Sequence, residues 1–120
     1  MSLFESKVVE ISAEQVQALL QQAVPFKLIN VLAENVYKDC HIVRSINIPL
    51  DGLEEKVKDW DRGQKIVVYC ARDTCSASKN AYHALKKLGF TDVHPYEGGT
   101  KEWKAKGLSV EGPCALDYLK

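Results

Sequence analysis

Apolar and polar positions change period several times along the chain, and the changes mark out alternating strands and helices. A short β-branched run, Val8 to Ile11, precedes Ser12-Ala-Glu-Gln15, where a Ser followed three residues later by a Gln reads as a capping box. The helix it opens turns Val16, Leu19 and Leu20 inward. Beyond Pro25, Phe26 to Leu32 is a mostly apolar stretch of strand length, the pattern of a central strand covered on both faces. Glu34 to His41 is polar and irregular. Ile46, Ile48 and Leu50 then alternate around Asn47 and Pro49, and because Pro cannot donate to a ladder this segment is predicted to be a short edge strand.

The second half repeats the alternation. A helix is predicted near Leu53 to Trp60, a turn at Asp61-Arg-Gly63, and a strand over Lys65 to Tyr69, the densest β-branched run in the chain. From Ala77, the residues Ala81, Ala84, Leu85 and Leu88 recur at helical spacing, with Gly89 placed for a left-handed cap. Asp92 to Tyr96 reads as one more strand, Gly98-Gly99 as a tight loop, and Lys101 to Lys106 as a last helix with Trp103 inward, ended by Gly107. The tail after Gly112 carries little pattern. Strands alternating with helices predict an α/β domain of parallel strands joined by right-handed crossovers, with helices on both faces of the sheet.

Composition narrows the class. A chain of 120 residues, 46% hydrophobic and 27% charged, is of a size for one domain that buries a real core, with no sign of disorder. Sixteen basic and sixteen acidic side chains are interspersed, so no bulk field recruits nucleic acid or a membrane surface. Trp60, Trp103, Tyr69, Tyr82 and Tyr96 occur singly within apolar patterns and read as packing, not as a platform for bases. No apolar run reaches the length of a signal peptide core or a membrane span, and the expected compartment is the cytoplasm.

Four cysteines, at 40, 70, 75 and 114, are then expected as thiols and not as disulfide staples, with Cys114 an incidental thiol of the tail. Cys40 beside His41, taken with Cys70 and Cys75, matches no common zinc spacing, so neither a metal nor a cofactor is expected. His83 reads as a helix-surface residue and His94 as a strand residue.

Ligands of parallel sheets sit beyond the carboxyl ends of the strands, and the segment leaving the densest strand is Cys70-Ala71-Arg72-Asp73-Thr74-Cys75-Ser76. A cysteine there lies near the unpaired N–H groups and positive end of the following helix, which predicts a lowered thiol pKa and a nucleophile, with Arg72 adding a cation. The competing reading makes Cys70 a small buried hydrophobe at a strand end. The polar loop, with neither Gly nor Pro, favours chemistry.

These residues carry a family resemblance. Tyr69-Cys70 to Ser76 followed by an alanine-rich helix resembles the active-site loop of single-domain rhodaneses. Leu28-Ile-Asn-Val31, Tyr37, His41-Ile42 and Ile46-Asn-Ile-Pro49 resemble the family's first signature. Gly89-Phe90 to Val93, Glu97-Gly-Gly99, Trp103 and Gly107-Leu108 resemble its closing one. The resemblance runs from about Val8 to Gly112 within a single domain spanning 1–120. It implies a rhodanese-like three-layer sandwich with a five-stranded parallel sheet, and a core position for His41 hydrogen-bonded to backbone. It also implies sulfur transfer by Cys70, which would accept sulfane sulfur from a small donor, thiosulfate or a persulfide, and pass it to cyanide or a thiol, including a protein thiol. Ala71, Arg72, Asp73, Thr74, Cys75 and Ser76 would bind the substrate, the loop amides forming an anion nest and Ser76 capping the helix.

The chain departs from that pattern at chemically telling places. Cys75 stands where the family's sulfurtransferases carry Arg, and Asp73 where they carry Gly. Arg72 or Lys79 would have to supply the missing cation. Asn30 and Leu32 replace an Asp and an Arg, while Val36, Cys40 and Arg44 replace an acid and two glycines. The phosphatases of this fold need Arg where Ser76 lies, which excludes that activity. Cys75 could resolve a modified Cys70 by closing a disulfide, so a non-catalytic redox-sensing or interaction module switching through Cys70 and Cys75 is the alternative function.

Overall fold

The two most apolar runs of the chain become neighbouring strands. In the computed structural model, which describes residues 10–120, β1 (Lys27–Asn30) and β4 (Ile66–Tyr69) lie parallel, with Leu28 opposite Val67 and Asn30 opposite Tyr69. β3 (Ile46–Asn47) adds to the other side of β1 and β5 (Val93–Tyr96) to the other side of β4, giving the all-parallel order β3-β1-β4-β5. All four residues of β4 and three of the four of β1 are buried because both faces of these strands are covered.

Alternation along the strands sorts side chains into two cores. Ile29, Ile66, Val68 and Cys70 face one side, where α3 (Leu53–Val57) and α4 (Ala77–Lys87) contribute Leu53, Val57, Ala81 and Leu85. Leu28, Val67 and Tyr69 face the other, against Val16 of α1 (Ala13–Gln21) and Trp103 of α5 (Gly99–Ala105). The result is the expected sandwich of helices, parallel sheet and helices. α1 opens with both bonds of its capping box: Gln15 N–H donates to Ser12 Oγ at 3.1 Å and Ser12 N–H to Gln15 Oε1 at 2.9 Å. No described helix is long and apolar enough to cross a membrane.

Four departures from the sequence reading have physical reasons. The parallel sheet has four strands among the described residues, not five. Val8 and Val9 of the expected first strand lie outside the described residues, and Ile11 N–H donates to the Pro95 carbonyl at 3.1 Å. Glu34 to His41, read as irregular, holds α2 (Glu34–Asp39), a helix with no fully buried residue and hence no apolar period to detect. After it, β2 (His41–Ile42) pairs antiparallel with β6 (Val110–Glu111) in a separate small sheet. Gly99, read as loop, begins α5 at φ +69°, where a Cβ would come within 2.6 Å of the Cys70 carbonyl oxygen.

The fourth departure concerns the tail and two cysteines. Cys40 and Cys114 form a disulfide across a separation of 74 residues, with Cα atoms 4.6 Å apart, so neither is the thiol expected. The tail is brought there by backbone bonds that sequence patterning does not register. Cys114 N–H donates to the Asp39 carbonyl at 2.7 Å, and the N–H groups of Ala115 and Leu116 donate to the Asp39 carboxylate at 3.0 and 3.3 Å. The chain ends in a 3-10 turn, Asp117–Leu119, packed on α5.

Candidate active site

Strand alternation delivers Cys70 to its position. It is two residues beyond Val68, on the α4 side of the sheet, one residue past the end of β4. The first turn of α5 grips the backbone there: Thr100 donates to the Cys70 carbonyl from its N–H at 3.1 Å and from Oγ1 at 3.4 Å, and Lys101 N–H donates to the Ala71 carbonyl at 3.0 Å. The close approach of Gly99 makes this grip possible.

The sulfur is wholly buried, and its thiol donates to the Cys75 carbonyl at 3.6 Å. Burial pushes the Cys70 thiol up to about 11, the neighbouring Cys75 side chain adds to the rise, and the N–H and hydroxyl of Ser78 oppose it. This reverses the lowered pKa expected from the helix terminus. The amides are present, but the strand end and the first turn of α4 also exclude water, and desolvation of the thiolate outweighs them. Ser78 itself is buried, and its Oγ has no hydrogen-bond partner in the resting site. Sequence reasoning missed Ser78; its place in the first turn of α4, eight residues after Cys70, was the available signal.

The rest of the loop divides by exposure. Cys75 is half-buried against the α4-side core, and both it and Cys70 are free thiols. Asp73, Thr74 and Ser76 are exposed. Only the Cys75 N–H is used in a turn, donating to the Arg72 carbonyl at 3.0 Å; those of Asp73, Thr74 and Ser76 make no hydrogen bond within the described residues. Ser76 does not cap α4 through its side chain: with φ −90° and ψ −4° its backbone is already helical, and the extended geometry that aims a capping hydroxyl is absent. Arg72 lines an open cleft of about 240 Å³ with Asp73, Lys101 and Glu102, its Nε buried without a partner. Lys79 pairs with Glu97 at 3.4 Å, at the end of β5.

Beneath the site, neutral groups stand where the resemblance implied charges. Asn30 Oδ1 accepts from Leu32 N–H at 2.9 Å, and Asn47 Nδ2 donates to the Asn30 and Leu32 carbonyls at 3.1 and 2.8 Å. The Tyr69 hydroxyl accepts from Ile42 N–H at 3.0 Å and shares a bond with Ser45 Oγ at 2.8 Å, and burial raises its pKa to about 12. His41 is a packed histidine as expected, its Nδ1 2.8 Å from the Tyr37 carbonyl and its Nε2 2.9 Å from Glu111 Oε1. A zinc set of Cys40, His41, Cys70 and Cys75 is ruled out by the bond from Cys40 to Cys114.

Comparison with known proteins agrees with this geometry. The profile of the family described as "Rhodanese-like domain" matches residues 12–106. The chain is 30% identical over 80 residues to the uncharacterized protein YqhL of Bacillus subtilis, covering 67% of this chain and 62% of that one. It is 30% identical over 94 residues to the thiosulfate sulfurtransferase GlpE of Pseudomonas syringae, covering 78% of this chain and 85% of that one. The crystal structure of the BH2092 protein of Bacillus halodurans superposes with a TM-score of 0.81 at 25% identity, covering 88% of this chain and 78% of that chain.

Proposed function

The chain belongs to the rhodanese-like domain family, and on that premise we propose that it is a sulfurtransferase or persulfide carrier whose Cys70 takes up a sulfane sulfur and hands it on. The observation that carries this reading is a free thiol at the carboxyl end of a central strand, faced by the Ser78 N–H and hydroxyl and followed by loop amides with no bonds of their own. Those donors suit a sulfur anion.

In the first half-reaction, Cys70 loses its proton to solvent and the thiolate attacks the outer sulfur of the donor. The new bond forms at Sγ while the donor's S–S bond breaks, and the departing sulfite or thiolate keeps the electron pair. In the second, a cyanide carbon or a thiolate sulfur attacks the outer sulfur of the persulfide, and Cys70 leaves as thiolate. Burial holds the thiol protonated at neutral pH, so the bound donor must help to shift that balance. Without Arg at position 75 and with Asp73 at the loop's exposed tip, a low-molecular persulfide is a better-matched donor than thiosulfate.

A second reading has its own support. The Cys75 side chain neighbours the Cys70 thiol closely enough to raise its pKa. Attack of the Cys75 thiolate on the inner sulfur of a Cys70 persulfide would close a disulfide and release hydrosulfide, a redox switch built on the same loop.

Incubating the reduced protein with thiosulfate, and separately with cysteine persulfide, and then recording intact and peptide masses tests both readings. One sulfur atom on Cys70, removed by cyanide or thiol, is the expected result. An unmodified Cys70 with both donors, or closure onto Cys75 without turnover, overturns the transfer reading and leaves the switch.

A further inference from the structure

The cleft beside the loop that begins at Cys70 has both of its walls tied to that residue. On one wall, Arg72 and Asp73 belong to the loop itself; on the other, Lys101 and Glu102 belong to α5. Thr100 N–H holds the Cys70 carbonyl at 3.1 Å and Lys101 N–H the Ala71 carbonyl at 3.0 Å, which fixes the spacing of the two walls. Two further bonds lead from the sulfur to the first wall: the Cys70 thiol donates to the Cys75 carbonyl at 3.6 Å, and Cys75 N–H donates to the Arg72 carbonyl at 3.0 Å. The loop thus closes back on the sulfur, and a single turn of backbone separates it from Arg72. Gly98 completes the cleft, since a Cβ there would collide with the Glu102 side chain and push its carboxylate away.

The cleft carries charges that the fold does not use. Among the described residues, the side chains of Arg72, Asp73 and Lys101 make no ion pair and no hydrogen bond, whereas Lys79 is committed to Glu97 at 3.4 Å. Glu102 is oriented by the Tyr96 hydroxyl, which donates to its Oε1 at 2.7 Å. Arg72 Nε is buried without an acceptor. A buried charged donor with no partner is unfavourable, and native structures keep such groups rarely and for a reason. A carboxylate drawn against the guanidinium supplies the kind of acceptor it lacks.

We propose that this cleft binds the α-amino-acid head group of a low-molecular persulfide, its carboxylate between Arg72 and Lys101 and its ammonium against Asp73 and Glu102, and so selects a zwitterionic donor over an inorganic one. The proposal rests on the reading of Cys70 as the sulfur-accepting thiol and names the donor class for it. Thiosulfate carries two negative charges and no positive one, so the cations attract it while Asp73 and Glu102 repel it; a zwitterion finds a partner at both ends. At about 240 Å³ the cleft lies below the range of roughly 300–1,000 Å³ typical of drug-sized ligands, which suits a single amino acid. The transfer step keeps its balance: the donor's S–S bond breaks as the new bond forms at Cys70 Sγ, and the amino-acid thiolate leaves with the electron pair.

The test has a binding arm and a transfer arm, both on the full chain. S-methylcysteine, which has the head group but no sulfur to give, is titrated against the amide resonances, beside 3-(methylthio)propionate, which lacks the ammonium, and 2-(methylthio)ethylamine, which lacks the carboxylate. S-methylcysteine is expected to shift the signals of Arg72, Asp73 and Lys101 and to bind about tenfold more tightly than either truncated analogue. Asp73→Asn should erase its advantage over the propionate, and Lys101→Gln its advantage over the amine, a selective pattern that a structural role would not produce. In the transfer arm, intact mass follows loading by cysteine persulfide and by 2-hydroxyethyl persulfide, and Arg72→Gln should cut the preference for the cysteine form about tenfold. Should Arg72→Gln fail to fold, the exposed Asp73 and the Lys101 variant decide. Equal binding of all three probes, or loading of Cys70 with no preference between the two persulfides, would overturn the proposal and leave Cys70 as the acceptor. Binding of S-methylcysteine with no loading by either persulfide would instead bring down the Cys70 reading, and the donor site with it.

Discussion

At the scale of the residue, the proposed chemistry turns on a thiol held protonated by its surroundings. Only the thiolate attacks sulfur, so loading of Cys70 is expected to rise with pH through the neutral and mildly alkaline range and to level off near the thiol's pKa of about 11. Stopped-flow loading across pH 6 to about 10 checks this; a plateau by pH 8 would contradict it. The same shift links to stability. Because the folded thiol holds its proton above the ordinary value of 9.0, its contribution is intact below about pH 9 and is lost as pH rises towards about 11. Cys70→Ser should flatten that part of the stability curve and abolish loading. Cys75→Ala removes the neighbouring side chain that adds to the burial-driven rise, so it should bring the alkaline rise to lower pH while leaving Cys70 able to load. If Cys75 is a resolving thiol, that variant should also retain its persulfide longer, which a mass time course reads directly.

At the scale of the element, short segments are held by a few directional contacts, and these are where single substitutions tell. The capping box of α1 satisfies two terminal N–H groups at once, and Ser12→Ala should cost about 1 kcal/mol in denaturant unfolding without touching sulfur chemistry. Gly99 is different because the same residue starts α5 and lets it reach the loop that begins at Cys70. A Cβ at φ +69° would sit 2.6 Å from the Cys70 carbonyl oxygen and 2.7 Å from the Ala71 carbonyl carbon. Gly99→Ala is expected to cost about 2 kcal/mol or more and to slow loading as well, by pushing α5 off the loop it grips.

At the scale of the molecule, one covalent link joins the end of α2 to the tail. Closing a loop across 74 residues restricts the unfolded chain by up to about 4 kcal/mol. Reduction of the bond, or Cys40→Ser, should therefore lower the thermal midpoint by roughly 10 °C, read by calorimetry with and without reductant. An unchanged midpoint would mean that the tail's hydrogen bonds to Asp39 hold it unaided. The two cores on either face of the sheet share β1 and β4, so the loss should appear as one cooperative transition.

The sequence by itself determined the sandwich and the place of its candidate nucleophile, because those depend on local periodicity. The mostly apolar stretch around β1, the apolar run of β4, the Ser12–Gln15 box, the α4 spacing ended by Gly89 at φ +102°, and a cysteine one residue past the central strand are all written within a few neighbouring positions. It left α2 unseen, because a helix with no fully buried residue carries no period to read. Tertiary structure alone decided what distance in sequence conceals. Cys40 meets Cys114 only because Asp39 collects the tail, and Ser78 matters only because Cys70 points towards it. The sign of the thiol's pKa shift belongs to the same class. Helix amides can be counted along a chain, but the exclusion of water that outweighs them is a property of layers closing over one another.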